Sequence, residues 1–164
     1  RTLKKFVNNK KFQTSINMRF KEVVENCANR PETWINTKLI KIYEELYQKG
    51  YAHSIEVWSN DKLVGGLFGI TIGSCFCGES MYSSAPNGSK LALISTMSRL
   101  KYNKFKLFDT QFPTDHLRSM GGLTISQREY EKLLSTSVND TRNSLGVPDN
   151  YSWSKMVQLS SQKL

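Results

Sequence analysis

Cys75-Phe76-Cys77-Gly78-Glu79-Ser80-Met81-Tyr82-Ser83, then Ser84-Ala85-Pro86-Asn87-Gly88-Ser89, then Lys106-Leu107-Phe108-Asp109-Thr110-Gln111 decide the fold. The first run alternates in the manner of a strand and carries a carboxylate, Glu79, where the extended segment is expected to end. Pro86-Asn87-Gly88 turns the chain, and Ser89 is placed to cap a helix bearing Ala92, Leu93, Met97 and Leu100. Lys106 to Gln111 reads as a second strand. Asp109 and Gln111 stand two apart there, so a strand puts both on one face. The polar groups at the two strand ends are then expected to converge.

Working outward, the period shifts from 3.6 to 2 along the chain. Asn17 is expected to cap a helix with Phe20, Val23, Val24 and Cys27 on one face, and residues 1–16 read as basic and weakly patterned. Pro31 breaks that helix, and Thr33-Trp34-Ile35 reads as an exposed connector. Leu39, Ile42, Tyr43 and Leu46 form the apolar face of a second helix that stops at Gly50. His53 to Trp58 and Leu63 to Ile72 read as a hairpin turning at Asn60-Asp61. Gly65, Gly66, Gly69 and Gly73 in the return strand predict bulges or close approach of a ligand to backbone. After Gln111, His116 to Met120 predicts a helical turn closed by Gly121-Gly122. Ser126 with Glu129 predicts a capping box for a last helix through Leu134. The expected organisation is one domain over residues 1–134 and a Ser/Thr/Asn-rich tail over 135–164.

The order of two helices, three antiparallel strands, helix, strand and helix is acyltransferase-like. In such an order the strands flanking the third helix splay apart to admit an acyl donor. Coenzyme A is not the expected donor. Its pyrophosphate needs a glycine-spaced turn of free N–H groups before that helix, whereas Pro86 removes a donor and the glycine spacing is wrong.

The bulk numbers set bounds rather than a function. At 164 residues the chain suits one domain, and its 38% hydrophobic and 23% charged content is ordinary for a folded protein. No apolar run reaches the ~20 residues of a membrane span and no secretory leader is evident, so a cytoplasmic protein with no membrane partner is expected. The net charge of +9 and pI of about 9.5 suit a polyanionic partner. Arg1, Lys4, Lys5, Lys10 and Lys11 precede the first acidic residue, Glu22, and are the candidate grip on a phosphate backbone. A solvated lysine-rich surface accounts for the same charge. Cys27, Cys75 and Cys77 form no metal-ligand spacing, and neither His53 nor His116 sits in a hydrolytic triad pattern, so no metal or cofactor is expected.

Several long segments resemble one family. They are Trp34 in Thr-Trp-Ile, Ala52-His53-Ser54-Ile55-Glu56-Val57-Trp58, Leu63-Val64-Gly65-Gly66-Leu67-Phe68-Gly69, Gly78-Glu79-Ser80-Met81-Tyr82-Ser83 and Ser89-Lys90. Asp109-Thr110-Gln111, His116-Leu117 and Ser119-Met120-Gly121 continue the series in register. Together they are similar to the leucyl/phenylalanyl-tRNA–protein transferases, from about Arg1 to about Leu134. The resemblance implies a GNAT-like α/β (α+β) acyltransferase fold with a mostly antiparallel mixed sheet flanked by helices. It implies transfer of Leu, Phe or Met from aminoacyl-tRNA to proteins with N-terminal Arg or Lys, marking them for N-end-rule degradation, by a monomer. The pattern departs at Thr110, where the family usually has Cys, at Gly122, where it has Ala, and in the family's smaller N-terminal domain, which does not figure here.

The resemblance also implies site residues. Asp109 and Gln111 are the catalytic pair: Gln111 accepts a hydrogen bond from the attacking α-amine and Asp109 orients the carboxamide. Glu79 joins them, holding either the donor's ammonium or the acceptor's basic side chain. Leu67, Phe76, Thr96, Leu100 and Phe108 match the aminoacyl pocket, and Trp34 matches a contact of the tRNA 3′ end. His116 is expected to orient the loop after Gln111. Two alternatives stay open: a tRNA-binding remnant without activity, and a tRNA-dependent ligase acting on peptidoglycan peptides.

Overall fold

The structure, a computed structural model, describes residues 12–141, 144–147 and 151–160. Eleven elements follow one another among these residues. They are β1 (Phe12–Ile16), α1 (Phe20–Ala28), α2 (Thr37–Gln48), β2 (Ala52–Ser59), β3 (Lys62–Ile72), β4 (Cys75–Ser83), α3 (Gly88–Tyr102), β5 (Leu107–Asp109), α4 (Asp115–Ser119), α5 (Gln127–Val138) and α6 (Trp153–Ser160). The five strands make one sheet in the order β1-β2-β3-β4-β5. The first four are antiparallel, and β5 is parallel to β4 across the α3 crossover.

Alternation along the strands feeds two cores. On one face, Ile55, Val57, Leu67 and Phe76 pack with Leu91, Leu93 and Leu100 of α3. On the other, Ala52 and Phe68 pack with Phe20, Val23 and Val24 of α1 and Tyr43 of α2. Strands buried on both faces need helices on both faces, and this mixed α/β layering is the expected fold class. No helix among the described residues is long and apolar enough to cross a membrane.

Three details matter for the site. First, β4 and β5 pair only from Cys75 to Cys77 against Leu107 to Asp109, so Gly78 to Ser83 run on without a strand partner on that side among the described residues. Second, the β3–β4 register slips between Phe68 and Gly69: Gly69 faces Gly78, whereas Phe68 faces Ser80. Glu79 is therefore the extra residue of a β-bulge. Third, β5 stops at Asp109, and Gln111 lies in the left-handed region at φ 63°.

Several expectations change. β1 lies where residues 1–16 read as unpatterned; its Ile16 pairs with Ile55 of β2. Asn17 does not cap α1, whose N-cap is Arg19 without a side-chain bond. Asn17 instead adopts φ 58°, accepts from the Ser54 amide at 3.0 Å, and meets His53 Nδ1 at 3.0 Å. Ser89 lies inside α3, whose N-cap is Asn87 at φ 69°. The helix through Leu134 runs on to Val138 and is not the last. α6 follows, and Leu145, Tyr151 and Met156 in the stretch expected to be a tail are buried against the α3 side of the protein. The glycines in and just after β3 do mark close approach, but by the protein's own backbone: a Cβ on Gly65 would lie 2.5 Å from Gly88, and one on Gly73, in the turn after the strand, 2.2 Å from the Ser137 carbonyl. Arg1, Lys4, Lys5, Lys10 and Lys11 lie outside the described residues.

Candidate active site

The splayed edge of β4 gathers the polar residues. Glu79 stands mid-strand rather than at a strand end, and the bulge aims it: a bulge re-aims a side chain and locally frees backbone groups. Its Oε2 accepts from the Tyr43 hydroxyl at 2.9 Å. That phenol titrates well above its ordinary range, first because burial disfavours the phenolate and then because Glu79 accepts its proton in a hydrogen bond. Tyr43, on α2, is itself in the core against α1 and β3, edge-on to Phe68 at 5.0 Å. Tyr43 thus anchors Glu79 from a rigid position, leaving Oε1 without a protein partner among the described residues.

Asp109 and Gln111 do come together, but not as neighbours on one strand face. With β5 ended, Asp109 Oδ1 accepts from the backbone N–H of Gln111 at 2.7 Å. This closes a side-chain turn of the kind aspartate favours. The Gln111 Nε2 donates to the Gly78 carbonyl at 3.4 Å, one residue before the bulge. Asp109 therefore orients the glutamine through its backbone and not through the carboxamide, which corrects the expected geometry. The carboxamide oxygen stays available as an acceptor. The second carboxylate oxygen, Oδ2, accepts from the Tyr130 hydroxyl of α5 at 2.8 Å. That bond pushes the Tyr130 phenol up to about 12. Both tyrosines escape sequence reasoning. Tyr43 reads as core by its period, and Tyr130 is separated from Asp109 by a loop whose path no periodicity fixes.

The surroundings tie these groups together. Cys75 and Cys77 sit on the same face with sulfurs 3.8 Å apart. Their mutual hydrogen bond holds the Cys75 thiol up and the Cys77 thiol down. Arg30 donates to Ser80 Oγ at 3.3 Å and to the Met81 carbonyl at 3.0 Å, placing a guanidinium beside the bulge. Trp34 is 51% exposed and edge-on to Tyr43 at 6.4 Å, so it neighbours the Tyr43–Glu79 pair. Among the described residues no group of three or more His, Cys, Asp and Glu side chains is arranged to hold a metal.

The apolar set lies on the opposite face of the sheet from Tyr43. Leu67, Phe76 and Leu100 belong to the α3-side core, and Phe108 packs on it partly exposed, its ring 5.6 Å from that of Phe76. Thr96 is buried with its hydroxyl turned back to the Ala92 carbonyl at 2.9 Å. A Cβ on Gly78 would lie 3.0 Å from Phe108, so the glycine brings the apolar ring close to the bulge. His116 is the second residue of α4, after the Gln111 turn. Its carbonyl accepts from the Ser119 hydroxyl at 2.7 Å, while Nε2 is buried with no hydrogen-bond partner among the described residues. The N-terminus of α3 is closed: a Cβ on Gly88 would lie 2.3 Å from the Val64 carbonyl, and the Ser89 amide donates to Ser83 Oγ at 3.3 Å.

A carboxylate on a bulge, a carboxamide anchored by its own N–H, and an apolar cluster behind them can orient an amine beside an acyl group. Nothing in this set is a strong base.

The sequence is similar to that of known proteins. The family described as "Leucyl/phenylalanyl-tRNA protein transferase" matches residues 1–135. The transferase of Maricaulis maris is 40% identical over 99% of this chain and 77% of its own length. That of Thermosynechococcus vestitus is 43% identical over 84% of this chain and 70% of its own. Among solved structures, a ribosomal-protein-alanine N-acetyltransferase from Brucella melitensis is 10% identical, with a TM-score of 0.49 over 70% of this chain and 92% of its own. On the family match and these identities, the chain belongs to the leucyl/phenylalanyl-tRNA protein transferase family.

Proposed function

We propose that this protein moves a leucyl, phenylalanyl or methionyl group from aminoacyl-tRNA to the α-amine of proteins beginning with Arg or Lys, an N-end-rule tag for degradation. The observation that carries the mechanism is the Asp109–Gln111–Gly78 arrangement. Gln111 is held at its backbone by Asp109 and at its amide nitrogen by Gly78, so the carboxamide oxygen is the fixed acceptor at the splayed edge.

The amine attacks the ester carbonyl, the new C–N bond forms, the ester C–O bond breaks, and a proton passes from the amine to the departing ribose oxygen. An α-amine with a pKa of ~7.7–8.0 is partly neutral at pH 7, so little base strength is needed. Holding it against an activated ester can contribute ~7–11 kcal/mol through orientation, and hydrogen-bond help from Gln111 adds to that. Glu79, held by Tyr43, has one carboxylate oxygen to pair with a cationic group, whether the donor's ammonium or the acceptor's Arg or Lys side chain.

The aminoacyl side chain enters among Leu67, Phe76, Thr96, Leu100 and Phe108. Phe108, partly exposed at the rim, is the residue whose displacement opens this core. Burying a Leu or Phe side chain contributes ~1.5–3 kcal/mol, enough to select apolar residues but not to separate Leu from Met. Trp34 stacks on the terminal adenosine, and Arg1, Lys4, Lys5, Lys10 and Lys11 grip the acceptor-stem phosphates. The protein works as a cytoplasmic monomer.

The test is transfer of radiolabelled Phe from charged tRNA onto peptides that differ only in their first residue. Label on Arg- and Lys-initiated peptides and none on those starting with Asp or Leu is the expected result. Equal labelling of all four would refute the acceptor assignment, and no labelling of any would refute the activity.

A further inference from the structure

The Asp109 carboxylate needs an explanation of its own. It closes a three-residue strand, no ladder bond among the described residues fixes the chain beyond it, and Gln111 two residues later holds a backbone conformation that non-glycine residues disfavour. An aspartate with a single hydrogen bond turns about its side-chain torsions. Here both oxygens are engaged, Oδ1 by the Gln111 N–H and Oδ2 by Tyr130.

The helix that brings Tyr130 is capped at its N-terminus and tied to both strands at its C-terminus. Ser126 caps its N-terminus, accepting from the Glu129 amide at 3.3 Å. At its C-terminus the Ser137 carbonyl accepts from the Ser74 amide at 3.0 Å, immediately before β4, and the Thr136 carbonyl accepts from Lys106 at 3.0 Å, immediately before β5. Tyr130 therefore stands on a strut spanning the two strands whose splay forms the site.

We propose that Tyr130 is a positioning residue of the transfer site: its hydroxyl fixes the Asp109 carboxylate, which in turn holds Gln111 in its left-handed conformation with the carboxamide on Gly78. Tyr130 touches neither substrate. It acts through Asp109, and a site is only as exact as the groups that lock its side chains. The inference rests on the transferase reading above, and its test separates the two.

The experiment compares the full chain with Tyr130→Phe, which keeps the ring and removes the donor. By NMR, hydrogen exchange of the Gln111 amide is expected to accelerate about tenfold, since that N–H loses a fixed acceptor. In the transfer assay kcat is expected to fall about tenfold with KM for aminoacyl-tRNA unchanged. Added to Asp109→Ala, the same substitution is expected to cost nothing further, because the two act as one unit. Unchanged Gln111 exchange, or a loss that multiplies with that of Asp109→Ala, would overturn the proposal. So would a lowered unfolding midpoint with wild-type Gln111 exchange, which would make Tyr130 a residue of the fold alone. A wild-type protein without transfer activity would refute the functional reading, and the Gln111 exchange would still decide the role of Tyr130.

Discussion

Replacing Gly69 with Ala tests how the bulge is built. Gly69 faces Gly78 on the last regular pair before Glu79, and a Cβ there would lie 2.2 Å from the Cys77 carbonyl and 2.6 Å from the Phe76 ring. Neither neighbour yields easily. The carbonyl is backbone, and Phe76 is fully buried in the α3-side core. Relief requires β4 to move away from β3 at the bulge itself. Overpacking of a core costs ~1–3 kcal/mol, and a clash with backbone belongs at the upper end. For a domain of this size ~3 kcal/mol lowers the thermal midpoint by roughly 6–12 °C. The same shift displaces Glu79, so transfer activity at a temperature where the variant is folded should fall with it. The control is Gly146→Ala, where the nearest atom to the new Cβ is Ser144 Oγ at 3.4 Å and the midpoint should hold within about 2 °C. Differential scanning calorimetry reads both. A Gly69→Ala midpoint within about 2 °C of the wild type would mean that β4 accommodates the Cβ without moving at the bulge.

Gln111→Ala should lower turnover by up to ~10⁴-fold with tRNA affinity near wild type, because the carboxamide acts on the amine; a loss confined to affinity would make it a binding residue. His53 is buried and its pKa lies below its ordinary value of 6.5, since desolvation opposes the charged ring. The unfolded chain thus binds the proton first, so stability is lost as pH falls below about 6.5, at up to ~1.4 kcal/mol per pH unit. Thermal midpoints of wild type and His53→Gln from pH 8 to pH 5 check this, the wild type falling more steeply. Lys4→Ala/Lys5→Ala should reduce the slope of log affinity for tRNA against log salt by roughly two units, measured by filter binding; an unchanged slope would make the basic N-terminus a solvated surface.

The sequence carried the layering of the fold because the periods are strong. Phe20, Val23, Val24 and Cys27 repeat as a helix face, and all four are buried. β1 escaped because Phe12 to Ile16 is five residues long with little alternation, and its order comes from pairing with β2, a partner some forty residues away. α6 escaped for a similar reason: Trp153 and Met156 sit in a polar stretch, and their burial depends on α3 and β1 meeting them, as when Trp153 Nε1 donates to the Phe12 carbonyl at 2.7 Å. At the site, residue types were legible and geometry was not. A two-residue spacing implies a shared face only while the strand continues, and β5 ends at Asp109. Glu79 in its Gly-Glu-Ser setting reads as a strand end, and only the register against Phe68 and Gly69 identifies it as the bulged residue. Tyr43 and Tyr130 supply the hydroxyls that fix the two carboxylates, and such pairing across 36 and 21 residues leaves no trace in local spacing.

The proposed transfer forms an amide at the acceptor's α-amine. Tandem mass spectrometry of an Arg-initiated peptide containing an internal lysine, after incubation with the protein and phenylalanyl-tRNA, tests it most directly. A single phenylalanine joined to the N-terminal arginine is expected, and none when the α-amine is acetylated. Phenylalanine on the lysine side chain, or an unmodified peptide alongside intact charged tRNA, would contradict it.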